Sequence, residues 1–161
     1  MLIEKRMEEL GYPLPAAGAA NTPFVQAQIA RGGLVFTSGC TPRLGGQMAY
    51  TGKCGTELSM EDAREAAKIC LVNCLGAVKS VAGDLDKIQK IVKMTGFVNS
   101  ALDFSGQPKV IDGASFLLKD IFGEKGTHAR SAIGVAGLPG NAACEIELIV
   151  QIDSAEDTWE Y

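Results

Sequence analysis

The chain has 161 residues, of which 47% are hydrophobic and 21% charged, and this composition indicates one packed globular domain rather than a disordered chain. Its formal net charge is −4 and its basic residues are scattered, so the sequence lacks the basic patch that binding to nucleic acid usually needs. No apolar run approaches the ~20 residues of a membrane helix, and the first ten residues are too acidic for a signal peptide. We therefore expect a cytoplasmic protein with no membrane partner, and a nucleic-acid partner is not favoured.

The cysteines also favour a reducing compartment. There are five of them, an odd number in a chain of this length, at Cys40, Cys54, Cys70, Cys74 and Cys144. Cys70 and Cys74 are four residues apart, which suits two metal ligands on one helical face. Nothing nearby completes such a site, so the sequence favours buried small side chains and predicts no metal.

The first segment, residues 1–20, is predicted as an N-terminal extension. Its apolar residues have helical spacing up to Leu10, and Gly11 then ends the pattern. Pro13 and Pro15 favour an extended loop after it. We take residues 21–153 as the domain and residues 154–161 as a mobile tail.

The domain begins with β-structure. Alternating apolar and polar residues predict a strand over 24–30, a turn at 31–33 and a second strand over 34–38, which together form a hairpin. A short third strand is predicted around 48–51.

Two helices and three further strands follow. Ser59 is predicted to cap a helix that ends at Gly83, and its stripe of alanines and cysteines predicts close approach to a sheet. A β-rich run covers 88–99, and a second helix runs from Pro108 to Gly123. Strands over 129–137 and 143–153 flank a turn at 138–141.

This order predicts an α+β fold with a single mixed sheet and two helices on one face. The other face of such a sheet has no helix to cover it. If its strands are apolar, it must pack against other subunits, so we expect an oligomer.

The last two strands carry the most suggestive polar pair. Arg130 and Glu145 are predicted on facing strands of a closing hairpin. A guanidinium group matches a carboxylate with two parallel hydrogen bonds, and a glutamate can hold and activate a water molecule. From these residues alone, a cross-strand ion pair between Arg130 and Glu145 is the simpler interpretation.

The same segment resembles the closing motif of the RidA family, also called YjgF or L-PSP. The residues that match are Arg130-Ser131, Leu138-Pro139 and Glu145-Ile146-Glu147, supported upstream by Phe36-Thr37-Ser38-Gly39 with Pro42. The resemblance covers residues 21–153, and the N-terminal extension is similar to that of a longer subgroup of the family.

The resemblance implies a chorismate-mutase-like fold, assembled as a homotrimer with ligand clefts between subunits. It also implies hydrolysis of reactive enamines and imines such as 2-aminoacrylate to a keto acid and ammonia, without cofactor or metal. The resemblance further implies that Arg130 binds the substrate carboxylate, that Glu145 holds and activates a water molecule, and that Ser38 and Gly39 line the ligand site.

Three residues depart from the pattern of the short enzymes in the family. Phe24 stands where many active members have an aromatic hydroxyl, and Cys40 where they have glutamine. Asp112 aligns with an asparagine near their cleft, and its charge would repel a carboxylate or attract an amine. These changes alter the expected specificity.

Other residues are weaker candidates for the site. His128, the only histidine, could line the rim of the cleft, although a surface histidine hydrogen-bonded to a loop is the simpler interpretation. Cys40 could be an exposed thiol, but a buried small side chain is favoured. Glu147 shares a face with Glu145 and could pair with a lysine.

The sequence therefore gives the following candidate site. Glu145, Arg130 and Ser38 are the catalytic candidates, and Arg130, Gly39, Phe24, Asp112 and His128 are the candidates for substrate binding. The main alternative is a non-catalytic trimer that binds or senses a small carboxylate. An endoribonuclease is disfavoured by the acidic charge and single histidine, and a chorismate mutase by the near isolation of Arg130 among cations.

Overall fold

The computed structural model describes residues 2–15 and 22–153, so residues 16–21 of the loop predicted over 13–23 and the predicted tail at 154–161 lie outside it. Its α-helices are α1 (Leu2–Glu9), α2 (Met60–Ala82) and α3 (Gln107–Phe122). Its strands are β1 (Ala27–Ala30), β2 (Leu34–Thr37), β3 (Arg43–Leu44), β4 (Gln47–Met48), β5 (Ile88–Asn99), β6 (Ala129–Val135) and β7 (Cys144–Ile152).

The main sheet has five strands in the order β1-β2-β7-β5-β6. It is mixed, because β5 and β6 run parallel while the other neighbours are antiparallel. Helices α2 and α3 lie side by side and pack on one face of this sheet. The predicted α+β architecture is confirmed.

The sequence explains where the two long helices begin and end. The Ser59 side chain accepts a hydrogen bond of 3.0 Å from the backbone N–H of Asp62 and so caps α2, as predicted. Gly83 and Gly123 end the two helices at positive φ. A Cβ at Gly113 would collide with the carbonyl of Arg64, so a glycine there lets α3 approach α2 closely.

Two predictions about β-structure are wrong. The predicted closing hairpin does not form, because β5 lies between β6 and β7 and pairs with both. The predicted strand around 48–51 is instead a small hairpin of β3 and β4, followed by an isolated bridge between Thr51 and Ala142.

The N-terminal segment forms the predicted helix and packs onto the domain. Met7 of α1 is fully buried in the core. Arg6 donates a hydrogen bond of 3.2 Å to the carbonyl of Asp120 in α3, and Glu4 forms an ion pair of 2.9 Å with Lys79 of α2. The segment therefore adds a layer over the helices rather than extending away from them.

The opposite face of the sheet carries no helix of the described chain. Alternation places Phe36, Phe97, Ile133 and Ile149 on it, and Phe36 and Ile133 are 42% and 47% exposed. We call this surface the open face. Within residues 2–15 and 22–153, no helix combines the length and apolarity needed to cross a bilayer.

Candidate functional site

Glu145 lies on the open face, near the beginning of β7. It aligns with Phe97 of β5 and is half-buried. Its carboxylate lies against the backbone of Gly39, where a Cβ would collide with the Oε1 atom. Burial raises the pKa of Glu145, and the negative charge of Glu147 raises it further. A carboxylate in this position is a stronger base than an ordinary surface glutamate.

The segment just after β2, residues 38–40, lies beside the carboxylate of Glu145. Ser38 donates its hydroxyl proton to the carbonyl of Val25 at 2.7 Å and its backbone N–H to the carbonyl of Gln26 at 2.8 Å. The hydroxyl proton is therefore already committed, and Ser38 holds the segment before β1 in place. That segment includes Phe24, whose side chain is 55% exposed.

Gly39 offers the free donor of this group. Among the residues that the structure describes, its backbone N–H donates to no acceptor. The next residue, Cys40, pairs with Ile146 through backbone hydrogen bonds of 2.8 and 3.0 Å. The strand of Glu145 therefore pairs directly with the segment 38–40. We call Ser38, Gly39 and Glu145, together with Phe24 on the segment that Ser38 holds, the Glu145 group.

Cys40 is a buried small side chain, as favoured from the sequence, with 8% exposure. A hydrogen bond with the Cys74 thiol lowers its pKa, while burial and the charge of Glu145 raise it. Cys70 and Cys74 are buried beneath the sheet too. In the described part of the chain, no three His, Cys, Asp or Glu side chains are placed to hold a metal ion.

Arg130 belongs to a second polar group at the edge strand β6. Its Nη1 atom donates to Asp112 Oδ1 at 2.8 Å and to Ser115 Oγ at 3.1 Å. Both partners lie on α3, so Arg130 bridges the edge of the sheet to that helix. Asp112 was predicted beside the carboxylate-binding arginine, but its hydrogen bond with Arg130 was not predicted.

His128 extends this group from just before β6. Its Nδ1 lies 2.6 Å from the carbonyl of Gly126, which can only accept, so the network assigns the proton to Nδ1. Nε2 then accepts from Ser115 Oγ at 3.0 Å. The interpretation of His128 as hydrogen-bonded to a loop is confirmed. We call Asp112, Ser115, His128 and Arg130 the Arg130 group.

Sequence analysis missed Ser115, although one signal was available. Residues three apart on a helix share a face, so Ser115 follows from Asp112 once the helix from Pro108 is predicted. Glu147, in contrast, forms no ion pair with any described lysine, and its neighbour across the sheet is Thr95. The interpretation of Glu147 as half of an ion pair with a lysine of the same chain is wrong for the described residues.

The two groups do not meet within one chain. Arg130 aligns with Met94 of β5, which faces the helices, whereas Glu145 aligns with Phe97 on the open face. With strands ~4.8 Å apart and a rise of ~3.3 Å per residue, their Cα atoms are about 14 Å apart on opposite faces. The predicted ion pair between Arg130 and Glu145 is therefore wrong, because β5 separates them.

Together the two groups supply complementary chemistry. The Glu145 group offers a basic carboxylate beside a free N–H donor, and the Arg130 group offers a guanidinium that can receive an anion. A single small ligand can use both only if the groups come from different copies of the chain.

The mixed sheet with two helices on one face is an α+β fold, and the matching family model describes its class as chorismate-mutase-like. The chain belongs to the YjgF/Rid family: a family model described as "YjgF/chorismate_mutase-like, putative endoribonuclease" matches residues 4–152. The family resemblance recognised in the sequence is confirmed.

Individual relatives cover nearly the whole chain. Protein TCP17 of Trypanosoma cruzi is 37% identical over 155 residues, which are 94% of this chain and 95% of that protein. The structure of Atu1372 from Agrobacterium tumefaciens is 44% identical, with a TM-score of 0.87 over 95% of this chain and 94% of that one. The structure of E. coli TdcF with bound serine is 26% identical, with a TM-score of 0.60 over 86% and 94%.

Proposed function

We propose that this protein hydrolyses small imines and enamines that carry a carboxylate, yielding a keto acid and ammonia, in clefts between the subunits of a homotrimer. The observation that carries the proposal is the position of Glu145. Its half-buried carboxylate has a raised pKa and lies against Gly39, whose N–H has no acceptor among the described residues. A water molecule and a polar ligand atom fit that combination of base and donor.

Each group has one role in the proposed reaction. Arg130 binds the substrate carboxylate and so fixes the position of the reacting carbon. Glu145 accepts a proton from water as the oxygen attacks the carbon of the protonated imine, giving a neutral tetrahedral carbinolamine. The protonated carboxyl group returns that proton to nitrogen. The C–N bond then breaks while Glu145 takes the proton of the hydroxyl group, so that ammonia leaves and the carbonyl forms. An enamine first takes a proton from solvent at carbon to become the protonated imine.

The separation of the two groups supports a site shared between subunits, and the proposed assembly for that site is a homotrimer. Arg130 and Glu145 lie on opposite faces of one sheet, so we infer that Arg130 of one subunit meets Glu145 of a neighbour. The apolar open face and the unpaired edge of β6 provide surfaces for such contacts. The serine bound to TdcF supports a ligand that carries a carboxylate.

The test is a competition assay. An amino-acid oxidase generates imines from several amino acids, and semicarbazide traps the imine that is not hydrolysed. We expect the wild type, but not Arg130→Ala, to reduce the trapped fraction. Arg6→Ala removes an arginine on α1 and serves as the matched control. If a folded wild-type trimer gives no acceleration with any imine, the hydrolase proposal is wrong.

A non-catalytic binding protein is the second candidate. Two observations favour binding without turnover. Phe24 has no hydroxyl group to donate a proton, and Nη1 of Arg130 already donates a hydrogen bond to Asp112. In that case Arg130→Ala abolishes ligand binding while Glu145→Gln changes nothing measurable. RNA cleavage is less well supported, because the neighbouring carboxylates of Glu145 and Glu147 would repel a phosphate.

A further inference from the structure

Arg130 and Asp112 use only part of their hydrogen-bonding capacity on each other and on Ser115. Nη1 of Arg130 donates to Asp112 Oδ1 and Ser115 Oγ. Within the described residues, Nε and Nη2 of Arg130 donate to nothing and Oδ2 of Asp112 accepts nothing. The two side chains are 24% and 36% exposed, so these free atoms are open to a ligand.

The free atoms form a pattern of two donors beside one anionic acceptor. A ligand that carries only a carboxylate fits the donors, but it also faces the charge of Asp112, and Asp112 has already compensated part of the charge on Arg130. A ligand with a cationic nitrogen next to its carboxylate fits both parts. Specificity of this kind comes as much from repelling the wrong ligand as from attracting the right one.

Ser115 gives Arg130 a second contact with α3. Its hydroxyl accepts from Arg130 Nη1 and donates to His128 Nε2, so the guanidinium stays oriented by α3 even when a ligand shares Asp112. Without that contact, an incoming carboxylate could draw Arg130 away from Asp112.

We propose that Asp112 is a specificity-determining residue that makes the Arg130 site select small zwitterions, in which a cationic nitrogen lies one carbon from a carboxylate. The inference rests on the proposed function and narrows its substrate: the protonated imine of an α-keto acid is such a zwitterion, and an α-amino acid is its unreactive analogue. Asp112 holds the cationic nitrogen of the protonated imine, which water attacks more readily than the neutral imine.

The experiment compares three ligands that differ by one charged group. L-alanine carries both charges, propionate only the carboxylate and ethylamine only the amine. By calorimetric titration of the wild-type protein, we expect L-alanine to bind at least about tenfold more tightly than propionate, and ethylamine not to bind measurably.

The variants assign that preference to its residues. Asp112→Asn keeps the shape of the side chain and removes its charge, so propionate should bind equally or more tightly than L-alanine. Arg130→Ala should bind neither. Asp120→Asn removes an exposed carboxylate from the same helix, two turns away, and should match the wild type. Asp112→Ser serves as a second variant if Asp112→Asn unfolds at a lower temperature.

Failure of this inference is distinct from failure of the hydrolase proposal. Equal binding of L-alanine and propionate by the wild type, no binding of either, or an unchanged ratio in Asp112→Asn overturns the role of Asp112, even if imines are hydrolysed. A clear preference for L-alanine that Asp112→Asn abolishes supports it, even if no imine is hydrolysed.

Discussion

At the scale of single residues, the proposed hydrolysis depends on the charge of Glu145. A general base works only when it is ionised, and a raised pKa means that protonation inactivates it at a higher pH than for an ordinary glutamate. Burial is the larger cause of the raised pKa and the charge of Glu147 the smaller one. The acid limb of the activity profile should therefore respond to Glu147.

We predict that Glu147→Gln moves the acid limb of kcat/KM to lower pH. Removing the neighbouring negative charge makes the ionised form of Glu145 easier to reach, so the pKa of Glu145 falls. The measurement is kcat/KM between pH 4 and pH 8 for both proteins. A limb that stays in place or moves to higher pH would show that Glu145 is not the titrating base.

The second prediction at the scale of single residues concerns the substitution of Gly39. A Cβ there would collide with Oε1 of Glu145, so Gly39→Ala must displace the carboxylate. We expect kcat to fall on the order of tenfold to a hundredfold, because small displacements of a catalytic group are costly. The melting temperature should change little, since Gly39 is exposed and has no positive φ.

Gly137→Ala is the matched control for this substitution. A Cβ at Gly137 would meet no atom within 4 Å, so its activity should equal that of the wild type. Full activity in Gly39→Ala would show that the position of the Glu145 carboxylate beside Gly39 does not matter for catalysis.

At the scale of elements, helix α1 stabilises the domain through Met7. We predict that Met7→Ala lowers the free energy of unfolding by about 2–4 kcal/mol, because the side chain is fully buried and leaves a cavity. Denaturant unfolding measures this change. Leu2→Ala on the same helix alters a side chain that is 80% exposed and should cost far less. Equal, small effects would show that α1 does not support the core.

The helices and strand faces could be predicted from the sequence, but the neighbours of each strand could not. Ser59 and Gly83 give α2 its ends, and alternation alone puts Glu145 and Glu147 on one face. Alternation says nothing of which strand lies beside β6. A short connection between β6 and β7 favoured a hairpin, yet β5 occupies the place between them.

For the candidate site as for the fold, single residues could be predicted from the sequence, but their arrangement in space could not. The family motif identified Arg130 and Glu145 individually, because each motif is local in sequence. Their separation depends on the order of strands, which no local pattern encodes. The hydrogen bonds of Arg130 with Asp112 and Ser115 likewise depend on how α3 packs beside β6, so they became visible only in three dimensions.

At the scale of the whole molecule, the open face should hold subunits together. Ile133 is 47% exposed on the edge strand, and an aspartate there would place a charge in an apolar contact. We predict that Ile133→Asp reduces the mass measured by light scattering from three chains to one. Leu44→Asp, at an exposed position in the small hairpin of β3 and β4, should stay trimeric. A wild type of single-chain mass would contradict the trimer itself.

The placement of β5 between β6 and β7 has a genetic consequence. If every cleft takes its arginine from one subunit and its glutamate from the next, two inactive variants can complement each other in a mixed trimer. Co-expressed Arg130→Ala and Glu145→Gln chains should assemble at random, leaving about one cleft in four with both native side chains. Their mixture should then regain roughly a quarter of the wild-type rate, whereas the separately purified variants, mixed without subunit exchange, should show none. Failure of the co-expressed pair would mean that one chain carries the whole site, against the strand order seen here.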